Sequence, residues 1–188
     1  MVALYKLLGI SLIDEVYLDT ESDEVISKIS SPNVLISRRE SRYATNQTDG
    51  NQMMVNFIER IDGDIYVKLL CTSPFILSQT IERGIRFLLE HPEHDSIFAV
   101  RKEKCYLWQH DKPLYDINHI PNSKMLEDTI IEAMSLYIIR KEAVLKTKRR
   151  IGNTPYMLNI TPLEALDINY PEDYEFALSI AKGIKYNV

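Results

Sequence analysis

Residues 167–173 read Asp-Ile-Asn-Tyr-Pro-Glu-Asp, and they hold the densest set of groups able to do chemistry. Asp167 stands two positions before Asn169, and a proline-led helix pattern begins at Pro171. In an extended stretch, positions i and i+2 point to the same side, so both side-chain oxygens can approach one cation. Magnesium takes one or two carboxylates and leaves its other positions to water and phosphate oxygens. One carboxylate with one neutral amide makes a weak site that nucleotide phosphates would complete. A turn with a solvated carboxylate gives the same pattern without a metal, and both readings stand at this point.

Three further stretches carry ligand-binding groups. Thr72 and Ser73 offer hydroxyls just before Pro74, which turns the chain; a plain turn into a helix explains the same residues. Asp49-Gly50 closes the polar run 38–51, long enough for a functional loop, although the pair also suits a simple turn. Lys148, Arg149 and Arg150 form a basic segment, usually a solvated helix end, that can otherwise meet phosphates or an acidic sugar. His91, His94, His110 and His119 lie in polar segments that lack the supporting ligands of a metal motif. Tyr106, Trp108 and Tyr115 read as packing or interface residues.

The elements that must position these groups alternate between strand and helix. Strands are expected over 15–20, 33–37, 64–72, the run from Asp95, 131–139 and 155–160. The strongest, 64–72, is nearly continuously apolar, as a parallel strand covered on both faces would be. Helices are expected after Ser22, over about 51–60, after Ser78, over 140–148 and from Pro171. Ser22 and Ser78 read as N-caps, and Phe176, Ala177, Ile180, Ala181 and Ile184 as the buried stripe of the last helix. This order argues for one α/β domain over 1–188, three-layered with a mainly parallel sheet. Residues 102–131 form a polar insertion suited to dimerisation or to the substrate side. In such sheets the ligand site lies beyond the carboxyl ends of the strands, where "DTES", "YATNQTDGN", "CTSP" and "DIN" all fall.

Bulk properties narrow the function. The 188 residues are 45% hydrophobic and 26% charged, with a net charge of −5. That balance argues against a dedicated nucleic-acid binder while leaving a nucleotide substrate open. Two cysteines without a second pair argue against a disulfide framework or zinc site and suit a reducing, cytoplasmic compartment. No apolar run approaches the ~18 residues of a membrane span, and "MVALYKLLGISLIDEV" reads as a poor signal peptide.

Taken in order, "EVYLDTESDEVI", "RRESRYATNQTDGN", "YVKLLCTSPF", "DSIFAV", "IEAMSLYII", "KRRIGNTPY" and "ALDINYPEDYEFALSIA" resemble the cytidylyltransferases that activate acidic sugars, the acylneuraminate (CMP-sialic acid) synthetases and relatives. The resemblance covers nearly the whole chain, and the ordered set is more specific than any single block. It implies a nucleotide-diphospho-sugar transferase (glycosyltransferase-A-like) fold and a homodimer. The implied reaction is CMP transfer from CTP to a nonulosonic acid, with magnesium and release of pyrophosphate. Asp167 matches the first metal-binding acid of an Asp-Ile-Asp motif, and Asn169 stands where the second is usually Asp. Thr72 and Ser73 match a turn beside the nucleotide, with Leu70 in place of a polar residue. Asn46 through Asn51, including Asp49, match a loop near cytosine and ribose. Tyr137, Lys148, Arg149 and Arg150 fall in the regions that approach the sugar acid.

One departure is large. Family members open with a strand and a glycine-rich, basic loop around the triphosphate, whereas "MVALYKLLGI" looks like the end of the helix after that loop. About 30 residues, a βα unit's worth, have no counterpart here. Such loops stabilise charge on the departing group, and losing one donor typically costs about 10²–10³ in rate. Two readings therefore compete: an active cytidylyltransferase, and a truncated, non-catalytic homologue that binds or scaffolds. A nucleotidyltransferase acting on another sugar or nucleotide is a third.

Overall fold

The computed structural model describes residues 2–183. Among the described residues six α-helices and eight strands follow in order: α1 Val2–Leu8, β1 Val16–Thr20, α2 Asp23–Ser27, β2 Val34–Arg38, α3 Gly50–Arg60, β3 Ile65–Leu69, α4 Ser78–Glu90, β4 Ser96–Glu103, β5 Trp108–Gln109, β6 Lys112–Pro113, β7 Thr129–Arg140, α5 Lys141–Thr147, β8 Pro155–Asn159 and α6 Pro171–Gly183. The expected α/β class is what the chain adopts. Ser22 caps α2 by accepting from the Val25 amide. Ser78 does not cap α4: Leu77 occupies that position, its amide donates to the Glu164 carboxylate, and the Ser78 hydroxyl donates to the Lys6 carbonyl.

The larger sheet has the order β3-β7-β4-β8. β4 and β8 are parallel, and β7 runs against both β3 and β4, so β3, β4 and β8 share one direction. The expectation that 64–72 is a parallel strand covered on both faces is corrected here. β3 is an edge strand with one antiparallel partner. Its apolar run arises because Ile65, Val67 and Leu69 pack on one core and Tyr66 on another.

The main core lies between the sheet and α1 with α4, around Ile76, Ile81, Leu88, Ile97, Leu136 and Ile138. Gly84 allows α4 to approach closely: a Cβ there would lie 2.7 Å from Ile138 Cδ1. Met54 and Ile58 of α3 and Ala143 and Val144 of α5 cover the opposite face with Tyr66 and Ile139. The three-layer arrangement follows.

Two irregularities matter for the site. β1 and β2 form a separate parallel pair, so no ladder joins β1 to β3. Within β7, Met134 has φ 51°, and the register slips: Phe98 faces Tyr137 and Val100 faces Glu132, two residues along β4 against five along β7.

Residues 104–128 connect β4 to β7, with a short β5–β6 hairpin turning at His110 and Asp111; residues 102–103 and 129–131 of the expected insertion belong to β4 and β7. Trp108, Leu114, Ile120 and Met125 on this arm are exposed. The buried stripe expected of α6 is also corrected. Ala177 is buried and Ile180 partly so, whereas Phe176 is 61% exposed and Ala181 is exposed; Ile184 lies outside the described residues.

Candidate active site

The "DIN" segment sits in an irregular stretch before α6, tied to the Thr72 turn by the Ile168 amide donating to the Thr72 carbonyl at 2.9 Å. Asp173 fixes its far end, one carboxylate oxygen accepting from the Asn169 and Tyr170 amides, both at 2.9 Å. An acidic residue in that first turn also complements the helix dipole. Asp167 and Asn169 do fall on one side, and they touch: the Asn169 side-chain amide donates to Asp167 Oδ2 at 3.0 Å. Asp167 Oδ1 is buried and has no hydrogen-bond partner. Buried carboxylate oxygens are normally satisfied, so an orphaned one fits a site for a cation or for a donor on a ligand. Among the described residues no three His, Cys, Asp or Glu side chains cluster as a protein-only metal cage.

A shallow cavity opens beside Asp167, lined by Arg101, Glu132, Met134, Leu166, Asn169 and Phe176, with a volume of about 410 Å³. Glu132 brings a second group of residues to it. Arg150 pairs with Glu132 at 3.0 Å and lies 4.4 Å over the Tyr137 ring, a cation–π arrangement. The Tyr137 hydroxyl donates to the same Glu132 oxygen. Burial and that hydrogen bond push the Tyr137 pKa well above its ordinary value. Tyr137 is fully buried, so the expectation that it touches substrate is corrected to a support beneath Arg150.

The three basic residues separate for a local reason. Lys148 ends α5 in the left-handed region at φ 55°, and successive side chains leave in different directions. Arg149 turns to the loop before β8, donating to Asn153 Oδ1 at 2.6 Å. Lys148 is exposed. Of the three, Arg150 is the one that meets the Glu132–Tyr137 pair.

The polar loop 38–51 reaches the same place. Asn51 Oδ1 accepts from the Arg150 amide at 2.9 Å, and the Arg150 guanidinium packs so close to Gly50 that a Cβ there would lie 2.5 Å from Nη1. Asp49 is committed to a capping box, accepting from the Asn51 and Gln52 amides while its own amide donates to the Gln52 side chain. Asn46 is exposed on the preceding turn. Ser73 is fully buried with its hydroxyl unpaired, so of the expected Thr72–Ser73 pair only Thr72 reaches toward the surface.

Lys68 and Glu132 were not singled out by the sequence reading. Lys68 stands across from Tyr137 in the β3–β7 register and donates to the Gly50 carbonyl at 3.2 Å. Burial, with Arg150 and Arg39 nearby, lowers its pKa to about 8. A charged group among apolar residues of β3 was the available signal. Farther along the same strand ends, Asp19 binds Arg39 at 2.8 Å and Arg60 at 2.9 Å and accepts from Ser37, locking β1, β2 and α3 together.

No protein-family profile matches the chain, and no curated protein does. Solved structures do. A CMP:2-keto-3-deoxy-manno-octonic acid synthetase complexed with CTP is 13% identical, with a TM-score of 0.68 over 97% of this chain and 86% of that one. A 4-diphosphocytidyl-2C-methyl-D-erythritol synthase from Anaerococcus prevotii is 13% identical, with a TM-score of 0.68 over 96% and 84%. The bifunctional IspDF from Campylobacter jejuni is 11% identical, with a TM-score of 0.64 over 93% and 44%. The chain therefore has the nucleotide-diphospho-sugar transferase-like fold of these proteins.

Proposed function

We propose that this protein is a cytidylyltransferase that binds CTP at the carboxyl ends of its strands and transfers CMP to an acidic, nonulosonic or sialic acid-like sugar. The observation that carries this reading is the orphaned oxygen of Asp167, a residue that lines one cavity with Glu132, the partner of Arg150. Its support from outside the chain is the shared fold with a synthetase solved with CTP. A hydroxyl of the sugar attacks the α-phosphorus of CTP in line, the bond to the β-phosphate oxygen breaks, and pyrophosphate leaves. Asp167, with Asn169 beside it, would hold magnesium, which neutralises triphosphate charge when bound. Arg150 is held in place by Glu132 and Tyr137 to meet a phosphate or the sugar carboxylate, and Lys68 adds a second cation at Gly50. The loop 46–51, with Asn46, Asp49 and Asn51, lies toward the nucleoside, and Thr72 anchors the turn under Asp167. The exposed apolar side chains of the 104–128 arm fit a homodimer contact.

A second reading, a homologue that binds nucleotide without turnover, draws on the separation of β1–β2 from the sheet that carries β3. Calorimetry with CTP and magnesium, beside a pyrophosphate-release assay, separates the two. Asp167→Ala is expected to weaken magnesium-dependent CTP binding tenfold or more while the fold is retained. Unchanged binding refutes the metal assignment, and binding without pyrophosphate release favours the second reading. Replacing CTP by UTP, GTP or ATP tests the base.

A further inference from the structure

Four non-glycine residues among those described have positive φ. His110 and Asp111 turn the β5–β6 hairpin, and Lys148 ends α5, all places where the chain must reverse or stop. Met134 is the exception, since it lies inside β7 at φ 51°. A residue with a Cβ resists that conformation, and glycine or asparagine adopts it at lower cost. The slip of β7 that brings Glu132 to Tyr137 needs the backbone turn, but it does not need a methionine there.

Core packing does not offset the strain either. Met134 is 43% exposed, while its neighbours Ala133 and Ser135 are buried. Met134 instead lines the cavity of about 410 Å³ beside Asp167. Ile131, Leu166 and the exposed Phe176 of α6 line the same cavity. These apolar residues share it with Arg101, Glu132, Asp167 and Asn169, so its wall is part apolar and part charged. Its volume suits a ligand of sugar size. Local backbone strain clusters at ligand-binding sites, and exposed apolar side chains that converge on a cavity leave water when a ligand covers them.

We propose that Met134 is a specificity-determining residue. With Phe176 it selects an acceptor that carries an apolar substituent, an acyl or a terminal methyl group, over the fully hydroxylated sugar acid. The chemistry follows from the lining. A hydroxyl set against Met134 and Phe176 loses its hydrogen bonds to water and gains none, whereas a methyl group gains by leaving water. The polar part of the same acceptor has Arg101 and Asn169 within the cavity as partners. One such group in an apolar site discriminates by about tenfold or more. The inference rests on the proposed reading of this site as that of a sugar-acid acceptor.

The test measures binding to the 188-residue chain by calorimetry, with magnesium and a non-hydrolysable CTP analogue present. The probes are a fully hydroxylated nonulosonic acid, its acetamido counterpart, and its counterpart ending in a methyl group. Wild-type protein is expected to bind at least one of the last two about tenfold or more tighter than the first, and the tighter one identifies the group as acyl or methyl. Met134→Gly is expected to bring that ratio below about threefold, and Met134→Leu to keep it. Met134→Gly is also expected to unfold at the same or a higher urea concentration, because it removes the strained Cβ. Phe176→Ala, at an exposed position, should lower the ratio and leave the urea midpoint where it is. A ratio near one in the wild type overturns the proposal, as does a ratio that survives Met134→Gly or is lost in Met134→Leu. Unfolding of Met134→Gly at lower urea overturns it too, since Met134 is then a packing residue, and an unchanged ratio in Phe176→Ala overturns the wall shared with Phe176. If none of the three acids binds, the acidic-sugar reading fails and the inference falls with it. If all three bind with equal affinity, the inference alone fails.

Discussion

Replacing Lys68 by Met should stabilise the protein at neutral pH, and the size of the gain can be worked from the structure. Lys68 is charged in both the folded and unfolded chain at pH 7, and burial makes the charged form costly in the fold. The fall from 10.5 to about 8, at 1.36 kcal/mol per tenfold step in proton affinity, corresponds to about 3 kcal/mol. Removing the side chain also removes its hydrogen bond to the Gly50 carbonyl, worth about 1–2 kcal/mol. The expected net gain for Lys68→Met at pH 7 is therefore about 1–2 kcal/mol. Between pH 8 and 10.5 the folded chain holds fewer protons than the unfolded one, so wild-type stability rises with pH in that window. The advantage of the variant should shrink by pH 10. Urea denaturation of both proteins at pH 7 and pH 10 measures this. A variant less stable at pH 7, or a difference that does not change with pH, refutes the argument. If Lys68 also meets the triphosphate, the more stable variant should bind CTP about tenfold more weakly.

Gly152→Ala would drive a Cβ into the Asp95 carboxylate, which accepts from the Asn153 and Thr154 amides and the Ser96 hydroxyl. A loss of about 2–4 kcal/mol in urea denaturation is expected, and a loss below 0.5 kcal/mol would mean that the loop moves aside. Asn169→Asp places a second carboxylate beside Asp167 and should tighten magnesium binding in the presence of CTP. It should also lower stability in chelator, because like charges then face each other. A magnesium titration identical for both versions would show that residue 169 does not face the cation.

Much of the element order was readable because Ser22, Pro171 and the helical spacing of Ile81, Ile85 and Leu88 are local signals. Pairing was not. Ile65–Leu69 has the same apolar run whether its partner is parallel or antiparallel, and only the position of β7 settles which. Ser78 looks like a cap, but Glu164, remote in sequence, takes that role through the Leu77 amide. At the site, Asp167 stood out by its own pattern. Arg150 could not be told from Lys148 and Arg149, because their divergence depends on one left-handed residue. Ser73 was misplaced because a hydroxyl next to proline carries no mark of which way the turn buries it.

The slip in β7 makes length, not only residue identity, a condition of the site. Residues at separation five in a regular strand point to opposite faces, so Glu132 could not reach Tyr137 without the extra residues around Met134. Those residues put the carboxylate back on the face where Arg150 waits. A single-codon insertion or deletion within 133–136 would invert that phase, sending Glu132 away while leaving every side chain of the site chemically intact. The same change within the 104–128 arm would be absorbed before it reached the sheet. Drift in chain length should thus be tolerated in the arm and refused in the few residues beside it.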